Sequence, residues 1–311
     1  MVDRLRAEEP STLIVDSGDL FFDANSANSQ DALKKAQLII RVYKHMATTA
    51  VNVGDLDLLQ GLDFLKKTAA EDLPLVSANL LAPQGRAPIV SPYVLQEVAG
   101  VRFAFLGLLS PQLRPQVQRA VHGAVLIDDP AAAVRRTLEA IDGKADVVVL
   151  LSDLGLEKDR QVARDIPGID FILGGHDGRF LRWAEHEGDT YILQSYKKGM
   201  YLGKLDLTIT KPDAAFQDQR AEERLRQEIT NLERRIQALE RARNSRSSPS
   251  LDRSIQRMTR EKTEMLDELK RSSDASPTGN RFNWALEPLG MNLPEDPEVK
   301  GWIRASGITQ D

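Results

Sequence analysis

Short apolar runs alternate with helical patterns from the start of the chain to about Lys211, the mark of a layered α/β architecture. Leu13 to Ser17, Thr49 to Val53, Leu75 to Ala78, Val101 to Leu108, Val147 to Leu151, Phe171 to Leu173 and Tyr191 to Gln194 read as strands. Several are so continuously apolar that they are expected to be buried on both faces. Between them, Ser29 to His45, Leu59 to Ala70, Pro130 to Asp142 and Lys158 to Asp165 carry helical periodicity. Each strand's C-terminal end then feeds a loop, where open α/β sheets place their sites.

The pattern changes after Pro212. From Glu222 to Arg243, Leu225, Ile229, Leu232, Ile236 and Leu239 recur at four- and three-residue steps among charges, a coiled-coil seam. A polar breaker, Asn244 to Ser250 with Pro249 inside it, precedes Leu251, Ile255, Met258, Met265 and Leu269, with Lys262 at one seam position. Two helices joined by a short loop predict an antiparallel hairpin about 30 Å long. Arg281 to Leu286 reads as a further strand, so the hairpin is expected to interrupt a β-hairpin begun by Leu202 to Thr210. The tail, Leu293 to Ile303, holds prolines and then a short amphipathic helix. The expected division is an α/β domain over residues 1–212 and 280–292, an inserted helical hairpin over 213–279, and a linker helix over 293–311 leading toward a C-terminal module.

Composition narrows the chemistry. The 311 residues include no cysteine, which removes disulfides, thiolate zinc sites and a Cys nucleophile. Val147 to Leu151 is the longest purely apolar run, far short of the roughly 20 residues that span a bilayer. No signal peptide opens the chain; Met1 leads into a charged helical stretch. With 41 Lys+Arg against 46 Asp+Glu and a net charge of -5, nucleic acid is not an expected partner. Basic residues modestly outnumber acidic ones between Arg220 and Arg271, as solvating charges flanking heptads do.

Four strand-end loops carry polar residues that chain topology does not explain: Ser17-Gly18-Asp19, Gly54-Asp55-Leu56-Asp57, Ser152-Asp153-Leu154-Gly155 and Gly174-Gly175-His176-Asp177-Gly178. Their glycines allow sharp turns through which carboxylates can converge above the sheet.

In order and spacing these elements resemble the calcineurin-like metallophosphoesterases, specifically the catalytic domain of the 5'-nucleotidase and UDP-sugar hydrolase family. Asp16 to Phe22 aligns with the family's GD element, and Gly54 to Leu65 falls without gaps on its GNHEFDxGxxxL segment. Ser77 to Asn79, Leu151 to Gly155 for the SHLG element and Pro167 to Gly178 for the element ending in GHxH follow in order. Gln194, Tyr201 to Leu205 and Leu293 to Pro297 match the closing hairpin and linker. The resemblance implies a metallophosphoesterase-type β-sandwich flanked by helices, phosphate-ester hydrolysis with two metals about 3.5 to 4 Å apart, and a periplasmic or extracellular bacterial setting.

The chain departs from that pattern at the site. The opening DxH element is absent, and a start after its strand is the expectation. Asp19 retains the bridging carboxylate, Asp55 stands for the asparagine ligand, and Leu56 replaces the histidine that would protonate the leaving group. Asp153 stands for one histidine ligand, His176 survives, and Gly178 replaces the second histidine of its element. The remaining candidate ligands are Asp19, Asp55, Asp153 and His176, an oxygen-rich set that favours Mg, Mn or Ca over Zn. No residue is assigned a catalytic role.

Each candidate also has a plainer reading. Asp19 and Asp55 can be turn carboxylates, with Asp57 competing for any functional part. Asp153 is either a compensating ligand or a drifted loop residue, and His176 can simply hydrogen-bond. His45, His122 and His186 fall outside the motifs as surface or helix-end residues. Three functions stay open: a divergent metal-dependent phosphoesterase with low or lost activity; a pseudoenzyme that binds a protein partner or forms a homo-oligomer through the hairpin; and a redox-linked protein. The last rests on a resemblance of the Gly54 to Asp57 variant to nucleotidase-like selenoproteins and their cysteine homologues, whose reactive element would stand upstream of Met1.

Overall fold

The computed structural model describes residues 1–24, 30–212, 214–245, 248–274, 279–290 and 292–308. Ser29, the expected start of the first long helix, and Arg246 and Ser247, in the expected hairpin breaker, lie outside them. The chain divides into two compact units, residues 1–203 with 286–311, and residues 204–285.

The first unit contains two sheets that position the site. In one, β1 (Val15–Asp16), β2 (Ala50–Asn52) and β3 (Leu75–Val76) run parallel. A small antiparallel pair joins β4 (Leu80–Leu81) to β7 (Leu126–Ile127). The larger sheet is built from β5 (Tyr93–Val98), β6 (Val101–Leu109), β8 (Val147–Asp153), β9 (Phe171–Gly174), β10 (Glu185–Glu187) and β11 (Thr190–Leu193). These six strands lie in the order β10-β11-β9-β8-β6-β5. The four inner strands are parallel and the two edge strands antiparallel. The apolar runs of β6 and β8 are buried almost throughout, as expected of strands covered on both faces.

Helices α2 (Gln30–His45), α3 (Gly61–Ala70), α4 (Pro115–Ala120), α5 (Pro130–Ile141) and α6 (Leu156–Asp165) cover these sheets, with α1 (Val2–Glu8) at the N-terminus and the last helix (Pro297–Ser306) near the C-terminus. Ala36 and Ile40 of α2 and Leu65 of α3 join Val51, Val53 and Leu75 in one buried cluster. Val134 and Ile141 of α5 and Val162 of α6 join Leu106, Leu150 and Ile172 in another. The last helix begins at Pro297 after Asp296, whose side chain accepts from Glu298 N and Val299 N as an N-cap. It docks on α2, with Trp302 under the Arg41 guanidinium at 3.8 Å and beside His45.

A buried side chain joins the two sheets. Asn52, fully buried at the end of β2, donates through Nδ2 to Ser17 O at 3.0 Å and to Leu108 O of β6 at 2.9 Å.

The second unit is described by itself. The chain enters it within β12 (Tyr201–Thr208) and leaves within β14 (Asn280–Pro288), which lies between β12 and β13 (Phe216–Asp218). Buried Asn280 ties the turn before β13, accepting from Thr210 N and Lys211 N and donating to Lys211 O and Ala214 O. Two long helices follow β13: α7 (Ala221–Ser245) and α8 (Pro249–Asp274). Leu232, Ile236, Ile255 and Met258 form their shared core, with Leu239 and Met265 against it. Arg243 pairs with Asp252 near the connection and Glu233 with Lys262 further away, so the helices run in opposite directions. The last helix is α9.

Candidate metal centre

Four strand ends of the first unit meet at one place. The loop after β1 crosses the loop after β2 at a backbone-to-backbone contact: a Cβ on Gly18, whose φ is +102°, would lie 2.7 Å from Gly54 N. Only glycine fits there. Asp57 then fastens the two loops, its carboxylate accepting from Asp19 N (3.0 Å), Leu20 N (2.8 Å), Phe21 N (2.9 Å) and Gly54 N (2.9 Å). Sequence alone sets Asp57 beside Asp55 as a rival functional carboxylate; in the fold, backbone amides occupy it. Its carboxyl is pushed up to about 7, chiefly by burial.

Asp19, at φ +59°, turns its side chain toward the next loop, where Oδ1 accepts from Leu56 N at 2.8 Å. Asp55 is fully buried. Its amide donates to Asp153 Oδ2 at 3.0 Å, linking the β2 loop to the end of β8. Asp153 in turn holds His176: Oδ1 lies 3.0 Å from Nδ1, which leaves Nε2 directed away from the carboxylate. His176 stands at φ +67° in the loop after β9, its side chain 26% exposed. Ser17 Oγ donates to Leu173 O at 2.8 Å, tying the β1 loop to β9.

Asp19, Asp55 and His176 each offer a ligand atom, and these atoms lie within 4.8 Å of one another. Asp153 is joined to two of them, with Oδ1 on His176 Nδ1 and Oδ2 accepting from the Asp55 amide. A carboxylate bonded to a histidine nitrogen fixes the tautomer and ring orientation. The donor set therefore fits a cation that accepts oxygen and imidazole ligands. Crowding of carboxylates points the same way: burial, with Asp153 and Asp57 nearby, pushes Asp19 up to about 8, and burial raises Asp153 as well. A bound cation would relieve both.

Two positions differ from the family pattern in a physically defined way. Leu56 packs against the apolar cluster around α2 and α3. At Gly178, the stem of Lys197 fills the space a side chain would enter, with Cδ 3.1 Å from a notional Cβ.

Sequence reasoning missed Arg114. It stands at the start of α4, where its backbone N donates to Asp55 Oδ2 at 3.2 Å, its guanidinium Nη1 donates to Asp55 Oδ1, and Nη1 lies 3.7 Å from Asp19 Oδ2. A lone arginine before a proline has no motif; its one signal is position, in the loop that follows a buried strand.

The trifunctional nucleotide phosphoesterase protein YfkN of Bacillus subtilis (strain 168) is 26% identical over 257 residues, covering 70% of this chain and 18% of that protein. The crystal structure of calcineurin-like phosphoesterase YfkN from Bacillus subtilis superposes with a TM-score of 0.66 at 19% identity, over 98% of this chain and 85% of that one. The 5'-nucleotidase precursor from Thermus thermophilus gives a TM-score of 0.56 at 22% identity, over 68% of this chain and 45% of that one. The relatives and structural neighbours are calcineurin-like metallophosphoesterases of the 5'-nucleotidase family. No protein-family model matches the chain. The chain spans less than half the length of the first curated relatives it matches, and the structural likeness is one of fold. Among the described residues no helix is long and apolar enough to cross a membrane.

Proposed function

We propose that this chain is a divergent 5'-nucleotidase-like phosphoesterase domain that holds a single divalent cation, Mg, Mn or Ca, with hydrolysis of phosphate esters reduced or lost. The observation that carries the proposal is the convergence of Asp19, Asp55 and His176, with Asp153 bonded to the imidazole. A cation bound there would polarise a phosphate oxygen and acidify a bound water. What the chain itself supplies is a rigid frame: Asp57 clamps the loops, and Asp153 holds the His176 ring. Leu56 can pass no proton to a leaving group, and loss of a positioned general acid costs about 10²- to 10⁴-fold in rate. Family likeness supports a setting in the periplasm or outside the cell, and α7 and α8 form an inserted coiled-coil hairpin in this reading.

Calorimetry of the purified chain with Mn²⁺ tests it. A single bound ion, lost in His176→Ala, is the expected result, together with weak or no turnover of p-nitrophenyl phosphate and nucleoside monophosphates. No binding at all would overturn the proposal.

A second reading rests on α7 and α8, whose charged outer positions surround the Leu232 to Met258 core. These helices would join two copies of the chain or a protein partner. If deleting residues 222–271 leaves the sedimentation behaviour unchanged, self-assembly through them is excluded.

A further inference from the structure

Two of the three residues whose ligand atoms converge are already paired to one guanidinium. Arg114 donates to both oxygens of Asp55, by its backbone N and by Nη1, and Nη1 faces Asp19 Oδ2 at 3.7 Å. Asp55 is fully buried, whereas the Arg114 side chain is 31% exposed. Burying a carboxylate without a counter-charge is costly, and Arg114 supplies that counter-charge to Asp55. A divalent cation seated among Asp19, Asp55 and His176 takes the same oxygens. Two positive groups cannot both sit closely against Asp55 without repelling each other.

We propose that Arg114 is the built-in counter-cation of this site, which a divalent ion must displace from Asp55 and Asp19 in order to bind. The inference rests on the cation site proposed above and adds a competitor to it. The geometry permits exchange. Arg114 caps α4 with an extended backbone at φ -60°, ψ 146°, and Pro115 holds the main chain there. The partly exposed guanidinium can therefore leave for solvent by rotation of its own side chain, while its backbone N remains on Asp55 Oδ2.

The full-length chain, stripped with a chelator, is titrated with Mn²⁺ alone by calorimetry as wild type, Arg114→Gln and Arg114→Lys. Arg114→Gln is expected to bind Mn²⁺ tighter by about tenfold or more, the size of an ordinary linkage between two competing ligands, with Arg114→Lys between it and wild type. Equal or weaker binding by Arg114→Gln, or binding by none of the three, overturns the inference. Because Arg114→Gln leaves a buried carboxylate unpaired and can fold poorly, wild-type protein provides a second reading. The Arg114 Nε–Hε signal in nitrogen-edited NMR is expected to shift as Mg²⁺ is added; an unmoved signal while Mg²⁺ binds is equally fatal. The functional proposal fails separately. Mn²⁺ binding of equal affinity in all three proteins removes the competition and leaves the cation site standing, whereas binding by none removes the site itself.

Discussion

Oδ1 of Asp153 lies 3.0 Å from Nδ1 of His176, and through that contact a strand-end carboxylate holds the ring that the β9 loop presents. Asp153→Ala is therefore expected to weaken Mn²⁺ binding by about 10- to 100-fold, as removal of such partners does, while His176→Ala abolishes it. Calorimetry on both variants, with circular dichroism to check folding, distinguishes this from a directly ligating Asp153, for which the two losses would be comparable.

Asp57 is expected to matter for folding and not for binding ions. Its removal strands the amides of Gly54, Asp19, Leu20 and Phe21, and buried groups left unpaired cost about 1 to 3 kcal/mol each. Urea denaturation of Asp57→Ala should show a loss of about 3 kcal/mol or more. A variant of near wild-type stability that had lost only cation binding would return Asp57 to the ligand set.

Acid stability should run in an unusual direction. Asp159 is fully buried beside Ser152, which donates to its Oδ1 at 2.5 Å, and burial pushes its carboxyl up to about 7. A carboxyl whose folded pKa lies above its unfolded value of about 4 adds stability that is complete below that value and is lost as pH rises through the folded one. The Asp57 and Asp19 shifts, to about 7 and about 8, have the same sign. In chelator, the urea midpoint is thus expected to be higher at pH 5 than at pH 8. Asp159→Asn should reduce the difference by stabilising the protein at pH 8. A midpoint that climbs from pH 5 to pH 8 would contradict this assignment.

In the second unit, Leu232→Ala should cost about 2 to 4 kcal/mol by opening a cavity opposite Ile255 and Met258. Guanidinium melts followed by far-ultraviolet circular dichroism measure it. A change below about 1 kcal/mol would mean that the helix pair tolerates repacking at its centre.

The inner strands were legible because burial on both faces leaves continuous apolar runs, as in β6 and β8. The edge strand β5 was not: Tyr93 to Val98 is half exposed, with Gln96 and Glu97 inside it, and its pairing with β6 supplies what its pattern lacks. The strands β4 and β7 contain two residues each, too few for any period. Site loops showed themselves through glycine and carboxylate at strand ends. The roles within them did not, because Asp55, Asp57 and Asp153 are the same residue type separated by hydrogen-bond partners that only the fold assigns. Arg114 lies 59 residues from Asp55, beyond the reach of any local pattern.

Asn52 gives the site a property that its ligand residues lack. Asp19 and Asp55 ride on the three-stranded sheet, Asp153 and His176 on the six-stranded one, and the Asn52 amide is fastened to both at Ser17 O and Leu108 O. The spacing of the donor atoms is therefore a gauge of how the two sheets are seated. A slip of either layer, too slight to disturb its own ladder, would alter the bite offered to an ion, making the choice of cation a readout of layer packing in residues that never touch it.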